Sequence, residues 1–62
     1  MYLSVCKTSF KVMAIITIDK IITKGLTYEV LYVTLNEQDE YYELVADDEQ
    51  YYSINSKCFI KL

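Results

Sequence analysis

A chain of 62 residues makes one domain, here spanning residues 1–62, near the lower size limit for folding unaided. Its 53% apolar content argues against disorder, and a net charge of −3 argues against general nucleic-acid binding or docking on anionic lipid. The absence of histidine removes the usual proton shuttle near neutral pH, and no apolar run approaches the roughly 18–20 residues that span a bilayer.

Residues 2–7 form the first strand candidate, with Leu3 and Val5 on the inner face and Ser4 and Cys6 on the other. Lys7-Thr8-Ser9 interrupts it weakly. From Phe10 to Ile18 the even positions Phe10, Val12, Ala14, Ile16 and Ile18 share one parity, although Met13 and Ile15 spoil the polar side. The β-branched run 15–18 is poor helix material, so this stretch reads as an extended, hairpin-like excursion.

Lys24-Gly25 marks a turn, because glycine takes positive φ without steric cost. Residues 26–35 carry the strongest strand pattern. Tyr28, Val30 and Tyr32 share one face, and Glu29 marks the other as outward. Leu31, Val33 and Leu35 share that outward parity. Either a bulge flips the faces near mid-strand, or the three form an apolar strip for self-association, for which a twofold homodimer is the commonest closure.

A polar loop follows at Asn36–Glu40. Residues 41–46 make the next strand, with Tyr42, Leu44 and Ala46 opposite Glu43. Asp47-Asp48-Glu49-Gln50 is a tight turn without glycine, which aspartate tolerates by bonding nearby amides. Residues 51–54 pair back, 54–57 read as a single irregular or 3₁₀ turn, and 58–62 close the fold with Cys58, Ile60 and Leu62 inward and Lys61 outward. Seven tyrosines suit half-buried pleated surfaces. Five short strands, a long early loop or hairpin and a one-turn 3₁₀ break before the last strand are the plan of an all-β, five-stranded SH3-like barrel, which limits exposed edges.

The run Ile22-Thr23-Lys24-Gly25-Leu26-Thr27-Tyr28-Glu29-Val30-Leu31 resembles the T-K-G-K-x-Y-E-V segment of small SH3-like proteins encoded by phages and prophages of low-GC Gram-positive bacteria. Val5-Cys6 stands where that family opens with V-x-C. The acidic turn Asp47-Asp48-Glu49, then Gln50-Tyr51-Tyr52 and Lys57-Cys58-Phe59, are similar too. The chain departs from the pattern in the apolar stretch Phe10–Ile18 and at Leu26, where the family often has lysine. The resemblance implies the fold and a phage origin. It supplies no catalytic residues.

Catalysis is not expected. Neither cysteine has an imidazole partner, and the carboxylates fall in predicted turns. Asp47-Asp48-Glu49 lacks the form of a calcium loop, so neither a metal nor a cofactor is expected. Cys6 and Cys58 lie on the first and last strands, which neighbour each other in such a barrel. They are assigned opposite faces, and with no secretion signal they read as free thiols in a cytoplasmic protein.

Charge is sorted along the chain. Residues 25–56 contain eight acids and no lysine or arginine, whereas the flanks carry Lys7, Lys11, Lys20, Lys24, Lys57 and Lys61 against Asp19 alone. Solubility alone does not explain that exclusion. In Tyr41-Tyr42 and Tyr51-Tyr52 adjacent rings point to opposite faces, with Tyr42 and Tyr52 assigned inward and Tyr41 and Tyr51 outward. The expectation is a non-enzymatic interaction module. Glu37, Asp39, Glu40, Tyr41, Glu43, Asp47, Asp48, Glu49 and Tyr51 would meet a host protein with a basic surface, by nucleic-acid mimicry in the sharpest form. The alternative is a nucleic-acid-binding module that gathers the six lysines on one basic face made by the chain ends.

Overall fold

Alternating apolar and polar side chains dominate the second half of the chain, and antiparallel strands follow from them. The computed structural model describes residues 3–62, leaving Tyr2 and the side chain of Leu3 outside the described residues. It contains β1 (Leu3–Ala14), β2 (Thr27–Asn36), β3 (Glu40–Val45), β4 (Tyr51–Asn55), a 3₁₀ turn (Ser56–Cys58) and β5 (Phe59–Lys61). The five strands form one sheet in the order β4-β3-β2-β1-β5, all neighbours antiparallel. The sheet curls into an SH3-like half-barrel, with the 3₁₀ turn before the closing strand as expected.

The expected interruption at Lys7-Thr8-Ser9 is a bulge inside one continuous strand. Lys7 pairs with Tyr32 and Phe10 with Val30, so β1 spends one more residue than β2 over that interval. The Thr8 hydroxyl donates to the Val30 carbonyl at 2.9 Å and satisfies an acceptor there. A matching irregularity lies between Val30 and Tyr32 against β3, leaving Leu31 as the extra residue of β2. The bulge exchanges the two faces of β2. Tyr28 and Val30 face the core before it, and Val33 packs toward the core after it. Tyr32, expected inward, is turned outward. Leu31, Val33 and Leu35 therefore make no shared outward strip: Leu31 sits in the bulge, Val33 packs on the core, and Leu35 lies opposite Ser4 and Glu40.

The core is built from Val12 and Ala14 of β1, Ile22 of the long loop, Tyr28 and Val30, Tyr42 and Leu44, Ala46, Ile54, and Phe59. Val12, Ile22, Val30 and Leu44 are almost wholly excluded from water, and each contributes on the order of 1.5–3 kcal/mol by leaving it. Four aromatic rings connect the strands across the interior. Tyr42 meets Phe10 edge-on at 5.5 Å and Phe59 at 6.1 Å, and Phe59 meets Tyr28 at 6.2 Å. The Lys61 ammonium lies 4.6 Å from the centre of the Phe10 ring, a cation–π contact between β5 and β1.

Three expectations about direction need correction. Val5 is 57% exposed rather than inward, because it shares a cross-strand row with Thr34, Tyr41 and Asn55 on the outer face. Cys6 falls on the inner row with Val33 and Tyr42, yet lies exposed at its rim. In β5 Phe59 points inward, while Ile60 and Leu62 are exposed. The reason is that Cys58 belongs to the 3₁₀ turn, so the alternation of the last strand restarts at Phe59. Both cysteines are free. Their separation comes from register rather than face: β5 pairs with Val12–Ala14, leaving Cys6 about 26 Å of strand away at roughly 3.3 Å per residue.

Residues 15–26 form the long loop between β1 and β2. Its base is closed where Gly25 donates to the Ala14 carbonyl (2.9 Å) and Ala14 donates to the Leu26 carbonyl (3.0 Å). Its tip is a small hairpin joined by the Ile18–Ile22 bridge. Three residues adopt positive φ, namely Lys20 (70°), Gly25 (90°) and Glu49 (64°). Glu49 closes the β3–β4 turn. Its amide donates to the Ala46 carbonyl and the Ala46 amide to the Gln50 carbonyl, both at 2.9 Å. This is a type I turn followed by a left-handed residue, a position where glycine is favoured.

Glu49→Gly is expected to raise stability by about 1 kcal/mol, since left-handed backbone costs a side-chain-bearing residue that much. Gly25→Ala is expected to lower stability by about the same amount, through backbone strain alone, because an added Cβ meets nothing within 4 Å. Urea melts of both variants check the opposite signs.

Candidate functional site

The cross-strand rows decide which of the expected contact residues share a surface. On the outer face, Val5, Thr34, Tyr41 and Asn55 form one row, and Lys7, Tyr32, Glu43 and Ser53 the next. Val45 and Tyr51 form a third. Tyr41, Glu43 and Tyr51 thus stand on one side of the sheet, as their alternation requires. Tyr51 is 66% exposed and Tyr41 half-buried, while Tyr42 is buried and Tyr52 packs against the core. A shallow depression of about 330 Å³ lies on this face, lined by Lys7, Thr8, Leu31, Tyr32, Glu43 and Tyr51. Tyr32 and Thr8 belong to no expected contact set, while Leu31 is expected in a self-association strip and Lys7 on a basic face. The bulge delivers Tyr32 to this face, and a strand pattern read without the bulge assigns it to the other.

The remaining acids do not join this surface as one patch. Glu37 and Asp39 lie in the β2–β3 turn, and Asp47, Asp48 and Glu49 in the β3–β4 turn, at opposite ends of the six-residue β3. The two turns are separated by roughly 20 Å of strand. Glu40 lies on the inner side, opposite Leu35. Its carboxylate interacts with the Tyr42 phenol, whose pKa is raised first by burial and then by Glu40.

Several of these carboxylates hold the fold. Asp47 uses both oxygens: Oδ2 accepts from the Thr23 hydroxyl (2.7 Å) and Oδ1 from the Tyr28 hydroxyl (2.8 Å). The Tyr28 oxygen accepts from the Thr23 amide at 2.9 Å, and the Asp47 amide donates to the Ile21 carbonyl at 2.7 Å. This network lashes the long loop to the β3–β4 turn. Asp48 caps its own turn, accepting from the Gln50 amide (3.0 Å) and from the Tyr52 hydroxyl (2.7 Å). In the other turn the Asn36 carbonyl oxygen of the side chain accepts from the Gln38 and Asp39 amides. Glu29 accepts from the Ser9 hydroxyl and faces Lys11 across the strands.

The same groups act on two further phenols besides Tyr42. Burial raises the Tyr28 pKa most, partly offset by the Thr23 amide and reinforced by Asp47. The hydrogen bond to Asp48 is the main cause of the upward shift at Tyr52. Each phenol is therefore held neutral more firmly than a free tyrosine.

The lysines divide in the same way. Lys7, Lys11 and Lys61 lie on β1 and β5, but Lys7 and Lys11 stand in outer rows with Glu43 and Glu29 while Lys61 lies over the Phe10 ring, so the chain ends do not gather them on one basic face. Lys20 and Lys24 belong to the loop that Asp47 ties down, so they sit beside the acidic turn rather than with the other bases. Among the described residues, no three His, Cys, Asp or Glu side chains are gathered in a metal-binding arrangement, and no helix is long and apolar enough to cross a membrane.

Asp47→Ala is expected to destabilise the fold by about 2 kcal/mol, the range for losing a charge-assisted pair of hydrogen bonds. Glu37→Ala is expected to change stability by less than about 0.5 kcal/mol, as for an ordinary surface site. Thermal melts compare the two. The phenol shifts also fix an alkaline limit. Raised folded pKa values mean that the stabilisation is complete below the ordinary phenol value of 10.0 and is lost as pH rises through the folded values. Melting temperature is expected to fall above about pH 10, less steeply in Tyr28→Phe than in the native chain, as a pH series of melts checks. No family model, no curated protein and no solved structure matches this chain.

Proposed function

We propose that this chain is a non-enzymatic interaction module of phage or prophage origin. In the bacterial cytoplasm it binds and inhibits a host protein that has a basic surface. The contact face is the outer side of β2, β3 and β4, where Tyr32, Tyr41 and Tyr51 surround Glu43, flanked by the acidic turns at either end of β3. The observation that carries this reading is the presence of three tyrosines and a carboxylate on one sheet face, with Tyr51 66% exposed. Tyrosine supplies contact area at small entropic cost and is enriched where interfaces concentrate their affinity. Negative charge steers encounter with a basic partner. A partner whose basic groove holds nucleic acid fits the same charge pattern.

The reading gives distinct roles to the acids. Glu43, Glu37 and Glu49 are the carboxylates for a partner, whereas Asp47 and Asp48 act mainly by holding the turn in place. Affinity purification from bacterial lysate with the native chain, Tyr51→Ser and Glu43→Lys tests it. The expected result is one captured protein that each variant loses while its circular dichroism is unchanged, and that DNA displaces. Capture indifferent to both substitutions sinks the proposal. Direct, salt-sensitive binding of the chain itself to DNA also overturns it, in favour of the lysines of β1 and β5.

A further inference from the structure

The two edges of the sheet are built differently. β5 is three residues long and carries Lys61, so shortness and charge both protect it from pairing. β4, the opposite edge, has five residues, Tyr51-Tyr52-Ser53-Ile54-Asn55, with no charge and no proline. Its pairing with β3 runs without a bulge from Tyr51 to Asn55. None of the usual devices that blunt an edge is present in it.

Its backbone direction follows from the turn. Ala46 and Gln50 close the hairpin with the Ala46 amide bonded to the Gln50 carbonyl. Antiparallel pairs alternate between bonded and non-bonded. Leu44–Tyr52 and Tyr42–Ile54 are then the bonded pairs, and the amides and carbonyls of Tyr51 and Ser53 and the amide of Asn55 point away from β3, while the Asn55 carbonyl opens the 3₁₀ turn. Three consecutive outward sites at a spacing of two are the pattern that accepts another strand.

We propose that β4 pairs with β4 of a second copy of this chain, antiparallel about a twofold axis at Ser53, so that two five-stranded sheets become one. This register is specified by charge. It sets Ser53 against its counterpart, Tyr51 against Asn55 and Tyr52 against Ile54, an aromatic–β-branched pair. The flanks continue the symmetry: Glu49 is four positions before Ser53 and Lys57 four positions after it. Beyond the strand, the antiparallel arrangement brings the acidic turn at one end of β4 to the other end of the partner's β4, where the 3₁₀ turn carries Lys57, the lysine that ends the long acidic run. The assembly is isologous, so the same contact is made twice. It leaves the tyrosine-bearing outer face free and doubles it, and it does not depend on what that face binds.

Sedimentation velocity over a wide concentration range tests the pairing. The native chain is expected to pass from monomer to dimer and to stop there. Ser53→Lys sets two ammonium groups against each other at the axis and is expected to abolish the dimer, with its circular dichroism kept because residue 53 faces solvent. Glu49→Lys and Lys57→Glu are each expected to weaken the dimer, and the double exchange to restore it. A native chain that stays monomeric throughout overturns the proposal. So does a dimer that Ser53→Lys leaves intact, or a double exchange no tighter than either single one.

Discussion

A sheet of five short strands encloses a core only if it bends, and in this chain the bend is concentrated at one point. Leu31 is the extra residue of β2 where that strand changes which face it turns inward. Bulges of this kind sharpen twist and redirect side chains. Everything else about the interior depends on the exchange. Before it, Tyr28 and Val30 are available to Phe59 and to β1. After it, Val33 covers the other half beside Tyr42. Without it, β2 would present either Val30 or Val33 to water. The Thr8 hydroxyl on the Val30 carbonyl satisfies a backbone group that the irregular ladder otherwise leaves over.

The same geometry reshapes the electrostatics. In sequence the acids occupy one block, whose self-repulsion opposes folding. In the fold, strand-borne charge keeps that sorting, with carboxylates on β2 and β3 and lysines on β1 and β5. Loop-borne charge does not keep it. Asp47 draws the long loop, with Lys20 and Lys24, onto the acidic turn. Opposite signs are thereby brought close where three acids in succession would otherwise repel each other. The acidic surface is narrower than the linear count suggests, and on the outer face Glu43 shares its depression with Lys7.

Much of the architecture is legible in the amino-acid order. Tyr42, Leu44 and Ala46 against Glu43, and Tyr52 and Ile54 against Ser53, alternate without a fault, and β3 and β4 follow them closely. Gly25 marks a turn because it alone takes positive φ without cost, and it occupies one. The faces of β2 are harder to read, because Val30-Leu31-Tyr32-Val33 is apolar throughout and any residue of it could carry the bulge. β5 misleads for a different reason: a 3₁₀ turn one residue later than expected moves Phe59 inward and Ile60 outward. The structural use of Asp47 has no local signal at all. Its partners Thr23 and Tyr28 are distant in sequence, and only the packing of the loop on the turn brings them together.

The pairing of β5 with β1 joins Val12–Ala14 to the last described strand, far along the chain, and the order of folding follows from it. The hairpins β2–β3 and β3–β4 close over short turns, at small entropic cost. Val12 meets Lys61, and Phe59 reaches Tyr28 and Tyr42, only after nearly the whole chain has been gathered. Topology of this kind places such domains among the slower small folders. During synthesis β1 emerges early yet waits for Phe59 before its inner face is covered. Val12 and Ala14 thus spend the nascent stage exposed, which makes the last strand the one that ends the protein's vulnerability to aggregation.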